Sequence, residues 1–305
     1  MLHYVLEGKD LTLCIEIFLM TILSNLSGLK IGDEYPVRIM GVINVSPESF
    51  YKGSVRTSPN EIANLAKKME EEGADIIDIG AMSTVPYLKT EIPIEEEIKR
   101  LSIAIKVVKE TVPLPISADT TRSKSAEAAI KAGATIINDV YGLKGDENMA
   151  RVISDYNANL IIAAYGIKHN QGDPIKKIKK ALKESLDIAR KAGIDDKKIV
   201  IDPAIGFIRD ANIPWYVWDC YVIKNLRKLR ELDKPICIAL SRKSFIGKIL
   251  NLNDPEDRLF GSLSAAAIAV YNSAHLIRTH DVIPTLQVVR LAEFIRKLSL
   301  YSKRR

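Results

Sequence analysis

From residue 37 onward the chain alternates between two textures. Short runs rich in Ile, Val and Ala occur at 38–44, 74–79, 115–119, 135–139, 159–164, 198–202, 235–240 and 275–279. Between them lie longer stretches whose apolar residues recur three and four positions apart, as in Ile62, Leu65, Ala66, Met69 and in Ile98, Leu101, Ile105, Val108. The first texture is that of parallel strands buried on both faces, and the second that of helices with one face toward a core. The same spacing predicts helices over 126–132, 149–156, 175–192, 215–232, 258–271 and 283–298.

Eight strands, each followed by a helix at a repeat of roughly 20 to 40 residues, predict an α/β chain folded as a (β/α)8 TIM barrel. A doubly wound open sheet competes, but it often carries G-x-G-x-x-G after its first strand, and none occurs here. Nothing between 37 and 305 has linker composition, so one domain is expected there. Residues 1–36 read as a lead-in packing on the barrel, a strand pair or a helix closing one end. The apolar run at 11–23 is shorter than a membrane span needs and contains Glu16. It also lacks a small-residue cleavage site before Ser24 and Asn25. No membrane partner is expected.

Composition narrows the class without naming a chemistry. Hydrophobic residues make up 47% and charged residues 27%, the balance of a globular protein. The 44 Lys+Arg against 38 Asp+Glu leave +6, but the basic runs 176–191 and 224–230 interleave with apolar residues at helical spacing. They describe solvated helix faces, so no nucleic-acid partner is expected. A mild positive field suits a phosphorylated substrate. Cys14, Cys220 and Cys237 lie far apart, which argues against a disulfide framework or zinc site and fits a reducing cytoplasm.

The chemistry gathers where the strands end. The first barrel strand ends in Asn44, the second in Asp78-Ile-Gly80, the third in Asp119, the fourth in Asn138-Asp139 and the sixth in Asp202. The seventh runs into Ser241-Arg242-Lys243-Ser244 and the eighth into Arg278-Thr-His280-Asp281. Barrel enzymes build their sites at this rim. Helix N-capping accounts for Thr120, Thr121, Ser123 and Asp281. It does not account for Lys243, Arg278 and His280, because cations at a helix N-terminus oppose the dipole unless an anion is bound. The rim therefore suits a ligand with two ends, a flat heterocycle rich in donors and a phosphate group.

Seven motifs resemble those of the dihydropteroate synthase family, in order and over about residues 37–297. They are Met40-Gly-Val-Ile-Asn-Val-Ser-Pro-Glu-Ser-Phe50, Gly73-Ala-Asp-Ile-Ile-Asp-Ile-Gly80, Ile116-Ser-Ala-Asp-Thr120 and Gly133-Ala-Thr-Ile-Ile-Asn-Asp139. Asp202-Pro-Ala-Ile-Gly-Phe207, Ser241-Arg-Lys-Ser244 and Arg278-Thr-His-Asp-Val282 complete the set. The resemblance implies a transferase that joins 6-hydroxymethyl-7,8-dihydropterin diphosphate to an arylamine and releases pyrophosphate. It implies that Asp119, Asn138, Asp202 and Lys243 hold the pterin. Asn44, Arg278 and His280 would hold the diphosphate, with Mg²⁺ on Asn44 and the phosphate oxygens. Asp119, Lys243 and Asn44 would be catalytic, and Thr84, Phe207 and Ser241 would meet the arylamine. A homodimer through outer helices is implied too.

Departures from the family pattern cluster on the acceptor side. Val85 stands where the bacterial pattern has an arginine, and Met82 where it has a glutamate. Ala163-Ala-Tyr-Gly166 replaces a Met-His-Met run, which changes the wall beside the pterin, and Arg209 replaces a lysine. The acceptor is p-aminobenzoate or a larger ribosylated, phosphorylated arylamine of a methanopterin-type pathway. Two other readings are a pterin-binding methyltransferase barrel and a non-catalytic pterin-binding paralogue. The anion-seeking cluster on the last two strands speaks against methyl transfer, which releases no pyrophosphate.

Overall fold

A computed structural model describes residues 21–46, 58–82, 91–167, 172–209 and 213–301, with side chains through 298. The first described elements are β1 (Leu23–Leu26) and β2 (Leu29–Gly32), paired antiparallel. Their two-residue connection, Ser27-Gly28, has positive φ at both positions (57° and 88°), the twist that suits a tight hairpin. Asn25 Oδ1 accepts the Gly28 N–H at 2.7 Å, fastening the turn.

Eight parallel strands follow: β3 (Arg38–Asn44), β4 (Ile76–Gly80), β5 (Ile116–Asp119), β6 (Ile136–Asp139), β7 (Asn159–Ala163), β8 (Ile199–Asp202), β9 (Cys237–Ala239) and β10 (Leu276–Thr279). Each pairs with its chain neighbour from β3 to β8, while β10 lies between β3 and β9. A parallel bridge between Ile201 and Ile236 joins the two ends, so the sheet closes into the expected barrel. Helices α1 (Pro59–Glu71), α2 (Ile94–Thr111), α3 (Ser123–Ala132), α4 (Met149–Asp155), α5 (Pro174–Lys191), α6 (Trp215–Lys224), α7 (Ser244–Leu250), α8 (Leu259–Tyr271) and α9 (Val282–Tyr301) surround it.

Local chemistry sets where these helices begin. Ser58 and Glu61 form a reciprocal capping box ahead of Pro59 at the start of α1. Asp173 accepts the Ile175 N–H at 2.8 Å ahead of Pro174, and α5 then buries Ile175, Ile178, Leu182, Leu186 and Ala189 at spacings of three and four. Two boundaries differ from expectation. The helix expected over 215–232 stops at Lys224, where Asn225 N–H turns back on Tyr221 and Val222, and continues as the 3₁₀ segment Leu226–Leu232. The N-cap expected of Ser123 belongs instead to Asp146, whose Oδ2 accepts the Ser123 N–H at 2.7 Å, while Thr120 donates its hydroxyl to Glu97 at 2.6 Å.

Strand periodicity sorts the side chains into two cores. Ile39, Ile43, Ile77, Ile79, Ile137, Leu160, Ile162, Ile201 and Ile238 face the helices in the larger cluster. Met40, Ile76, Ile136, Ile161, Val200, Cys237 and Leu276 point inward and form a separate floor, which Leu26 and Ile31 of the hairpin cover from below. Because successive residues alternate faces, the residues two or four further along also point inward. Those residues are Asn44, Asp78, Asn138, Asp202 and Arg278.

Polar anchors hold the hairpin beneath the floor. Ser24 Oγ donates to Ile199 O at 2.7 Å, and Ser27 Oγ to Thr135 Oγ1 at 2.6 Å. The Asp33 carboxylate takes the Arg230 guanidinium and the Nε2–H of His275, the latter at 3.2 Å. His275 Nδ1 accepts the Ile236 N–H at 3.0 Å, which leaves the ring proton on Nε2. Burial holds the His275 pKa below its ordinary value, in keeping with a neutral ring.

Candidate active site

At the rim the central feature is a guanidinium between two carboxylates. Arg278, inward on β10, donates from Nε to Asp78 Oδ2 at 2.6 Å and from Nη2 to Asp119 Oδ2 at 2.7 Å. Asp78 is fully buried on β4, and Asp119 closes β5. Register brings them together: Asp78 lies opposite Ser117, and Asp119 lies between Gly80 and Asn138. The second oxygen of each carboxylate is buried without a hydrogen-bond partner among the described residues. Burial raises the Asp119 pKa to about 7; Arg278 opposes that rise, and the Asp78 charge adds to it.

Beside this triad, Asn44 Nδ2 approaches His280 Nε2 at 3.5 Å, and His280 Nδ1 lies 3.0 Å from Ser241 Oγ. Burial and then the neighbouring Arg278, Arg242 and Lys243 cations lower the His280 pKa to about 3, so the ring is neutral at pH 7. It can hydrogen-bond an anion without bringing a charge to it. Gly80 keeps the space between Asn44 and Asp119 open. An added Cβ there would lie 3.5 Å from Asn44 Oδ1 and 3.8 Å from Asp119 Oδ2.

On the opposite side of the mouth, Asp202 ends β8, with Oδ1 accepting the Ala204 N–H at 2.6 Å. Burial pushes its pKa up, while that N–H and Lys243 pull it down. Lys243 Nζ donates to Ile205 O and sits 5.0 Å from the centre of the Phe207 ring. Burial lowers the Lys243 pKa to about 8 against the pull of Asp202 and Asp219. The loop that carries these contacts depends on Gly206, whose φ of 85° leaves it a Cβ position 3.2 Å from Lys243 Cδ.

Asn44, Asp119, Asn138, Asp202, Phe207, Ser241, Lys243, Arg278 and His280 thus all belong to the strand ends and loops of one barrel mouth. Thr84 lies outside the described residues. Arg242 does not join the anion-seeking cluster expected of Ser241–Ser244. Its φ is 55°, and its side chain turns to Asp281 with a fork of 2.8 and 3.0 Å, and to the carbonyls of Pro255 and Glu256. Two further carboxylates are structural, one read in sequence as a rim residue and one not singled out there. Asp139 accepts the N–H groups of Tyr141 and Leu143, shaping a loop instead of facing ligand. Asp219, fully buried on α6, accepts the Gly206 N–H at 3.0 Å and supports the Lys243 loop.

Two of the residues that depart from the family pattern have partners of their own. Tyr165 of the altered fifth-strand end stacks on Tyr141 with centroids 4.4 Å apart. Arg209 lies over the Trp215 ring at 4.0 Å and donates to Ser244 Oγ at 2.8 Å. An arginine suits that stacked position better than a lysine, whose charge is not planar.

Comparison with known proteins agrees with this geometry. Residues 40–280 match the family model for pterin binding enzymes. A dihydropteroate synthase of Clostridium beijerinckii is 36% identical over 258 residues, covering 84% of this chain and 93% of that protein. Among solved structures, a Coxiella burnetii dihydropteroate synthase in complex with pteroic acid superposes with a TM-score of 0.81 at 33% identity, covering 91% of this chain and 99% of that one. A Xanthomonas albilineans dihydropteroate synthase with 4-aminobenzoic acid gives 0.80 at 30% identity, over 90% and 98% of the two chains.

Proposed function

The chain belongs to the pterin-binding enzyme family, and we propose that it is a dihydropteroate synthase-type transferase working at the mouth just described. It joins 6-hydroxymethyl-7,8-dihydropterin diphosphate to an arylamine and releases pyrophosphate. The observation that carries this reading is the convergence of Asp202, Lys243, Asp119, Arg278 and His280, which come from the ends of four strands, on one barrel end. A heterocycle with an amino and N–H edge finds carboxylate acceptors in Asp202 and Asp119, the amide of Asn138 and the Lys243 cation. The diphosphate finds the Arg278 charge and the neutral donors of His280 and Asn44.

In the reaction, the bond between the pterin methylene carbon and the diphosphate oxygen breaks, and its electron pair leaves with the diphosphate. The arylamine nitrogen then forms the new C–N bond and loses a proton. Positive charge develops on the methylene carbon, where the Asp119 carboxylate stabilises it, while Arg278 stabilises the leaving group. Both groups are already in place, so little reorganisation is needed at the moment of reaction.

A Mg²⁺ ion suits this rim only in company with substrate. Among the described residues no cluster of three His, Cys, Asp or Glu side chains could hold a metal. Asn44 Oδ1 borders the open space above Gly80, and Mg²⁺ commonly takes one or two protein oxygens together with substrate phosphates. Asn44 would hold it, and it would neutralise charge on the departing diphosphate.

The acceptor is p-aminobenzoate, in keeping with the 4-aminobenzoic acid and pteroic acid bound to the two similar structures. Ser241 and Phe207 face it. The chain forms a homodimer through α8 and α9, whose outer surfaces expose Phe260 (80%), Phe294 (63%) and Leu291 (62%), large apolar side chains of the kind that mark an interaction surface. It works in the cytoplasm, where the thiols of Cys220 and Cys237 stay reduced. No described helix is long and apolar enough to cross a membrane.

Incubation with the pterin diphosphate, Mg²⁺ and a panel of arylamines, read by product mass and released pyrophosphate, tests the proposal. A dihydropteroate mass with p-aminobenzoate supports it. Tight binding of the pterin diphosphate with no arylamine coupled would overturn it.

A further inference from the structure

We propose that Asp78 is a positioning residue for the diphosphate half of the reaction: it holds the Arg278 guanidinium while Asp119 is handed over to the pterin. This rests on the function proposed above and assigns a residue that reading leaves idle. Three observations carry it. Asp78 is fully buried, one inward position below the rim, so it is beyond reach of a ligand lying across the mouth. Its Oδ2 takes the Arg278 Nε–H at 2.6 Å, the hydrogen bond that fixes the plane of the guanidinium. Arg278 Nη1 has no acceptor among the described residues, so the pinned plane presents that donor to an incoming anion.

Asp119 cannot do this job alone. Its Oδ2 already takes Arg278 Nη2 at 2.7 Å, and the same carboxylate is the one offered to the pterin. When the heterocycle arrives, the bond to Arg278 loosens or is shared, and a guanidinium tied only there would swing with it. With Asp78 beneath, the arginine stays aimed as Asp119 changes partners.

Charge and positioning predict opposite signs, which makes the idea testable. Asp78→Asn keeps the shape of the side chain and removes a negative charge beside the anion site. Coulomb's law alone therefore predicts tighter pyrophosphate binding. Positioning predicts weaker binding, by about tenfold for Asp78→Asn and more for Asp78→Ala, the range expected when a buried charged hydrogen bond is weakened or lost.

The experiment titrates inorganic pyrophosphate and, separately, 6-hydroxymethyl-7,8-dihydropterin into the parent protein, Asp78→Asn, Asp78→Ala, Arg278→Ala and the double variant Asp78→Asn/Arg278→Ala, each shown to melt cooperatively. The expected result is pyrophosphate affinity lost in both Asp78 variants with pterin alcohol affinity within about threefold of the parent. In the Arg278→Ala background, Asp78→Asn should cost nothing further, because residues that act through one another are not additive. Turnover should show a raised KM for the pterin diphosphate more than a lowered kcat. Should Asp78→Ala not fold, Asp78→Asn and the double variant still decide the matter. Unchanged or tighter pyrophosphate binding in Asp78→Asn, or additive losses in the double variant, would overturn the role of Asp78 and leave the function standing. A parent protein that binds the pterin alcohol but no pyrophosphate would instead overturn the diphosphate site itself, and the proposal with it.

Discussion

The floor and the rim of the barrel are made by the same strands, one or two inward positions apart, yet they follow opposite rules. At the floor, Met40, Ile76, Ile136, Ile161, Val200, Cys237 and Leu276 meet Leu26 and Ile31 of the hairpin in a dry cluster. At the rim, Asp78, Asp119, Asn138 and Asp202 put polar groups into comparably deep positions, and two of the carboxylates keep an oxygen without a partner. Burying a floor side chain stabilises the fold by about 1.5–3 kcal/mol. Burying a carboxylate costs free energy unless its partners compensate: Arg278 compensates Asp78 below the mouth, and the half-satisfied Asp119 is kept where a ligand can complete it. The barrel thus holds together from below and stays chemically incomplete above.

Truncation at the floor should give the largest effect and a purely structural one. Ile76 is fully buried, and Ile76→Ala should destabilise the fold by about 4 kcal/mol in denaturant melts, from lost transfer energy and the cavity left behind. The folded protein should still bind 6-hydroxymethyl-7,8-dihydropterin as the parent does. A loss under 1 kcal/mol would mean that the hairpin collapses into the gap and that the floor is not a rigid base.

The matching change at the rim should reverse the pattern. Asp202→Asn keeps an acceptor for the Ala204 N–H but replaces the other oxygen by a donor and removes the charge that faces Lys243. Pterin affinity should fall by about 2 kcal/mol, roughly thirtyfold, by calorimetry. Folding stability should stay within about 1 kcal/mol of the parent, because the lost pairing is offset by relief of a buried charge. Equal losses in binding and stability would place Asp202 with the floor residues, as packing.

How far these regions were legible in sequence follows from the range of the interactions involved. The strands showed because both faces of each are apolar, and the rim showed because polarity returns abruptly where each run ends. The family resemblance assigned roles to nine of those described rim residues, and the fold brings them to one mouth. What stayed hidden depends on partners distant in the chain. Asp78 was visible as a strand-end acid, but its partner Arg278 is 200 residues away. Asp219 reads as one polar position on an apolar helix, and nothing in helical spacing says that it supports Gly206. Arg242 and Lys243 are adjacent cations on one turn. Only the left-handed backbone at Arg242 sends one outward to Asp281 and the other inward over Phe207. The hairpin beneath the floor has strands of four residues each, too short for periodicity to announce.

The smallest effect should be in how stability depends on pH, and it separates floor from rim without any ligand. Burial raises Asp119 from 3.8 in the unfolded chain to about 7 in the fold. Between those values the folded state holds a proton that the unfolded state has released. The stabilisation is fully present below about pH 4 and is lost as pH rises through about 7, with a slope of at most about 1.4 kcal/mol per pH unit for one proton. Asp139 and Asp219, each raised to about 6 by burial, act with the same sign over the lower part of that window. Asp119→Asn should therefore flatten the stability profile between pH 5 and 7 by about 1 kcal/mol per unit, measured by urea melts at stepped pH. Ile76→Ala should lower the whole profile and leave its slope untouched, since the one titratable floor group, the Cys237 thiol, is pushed up by burial and keeps its proton throughout that window. A parallel shift in Asp119→Asn would mean that the Arg278 pairing outweighs burial and keeps the carboxylate ionised throughout, so that the rim, like the floor, answers to packing and not to protons.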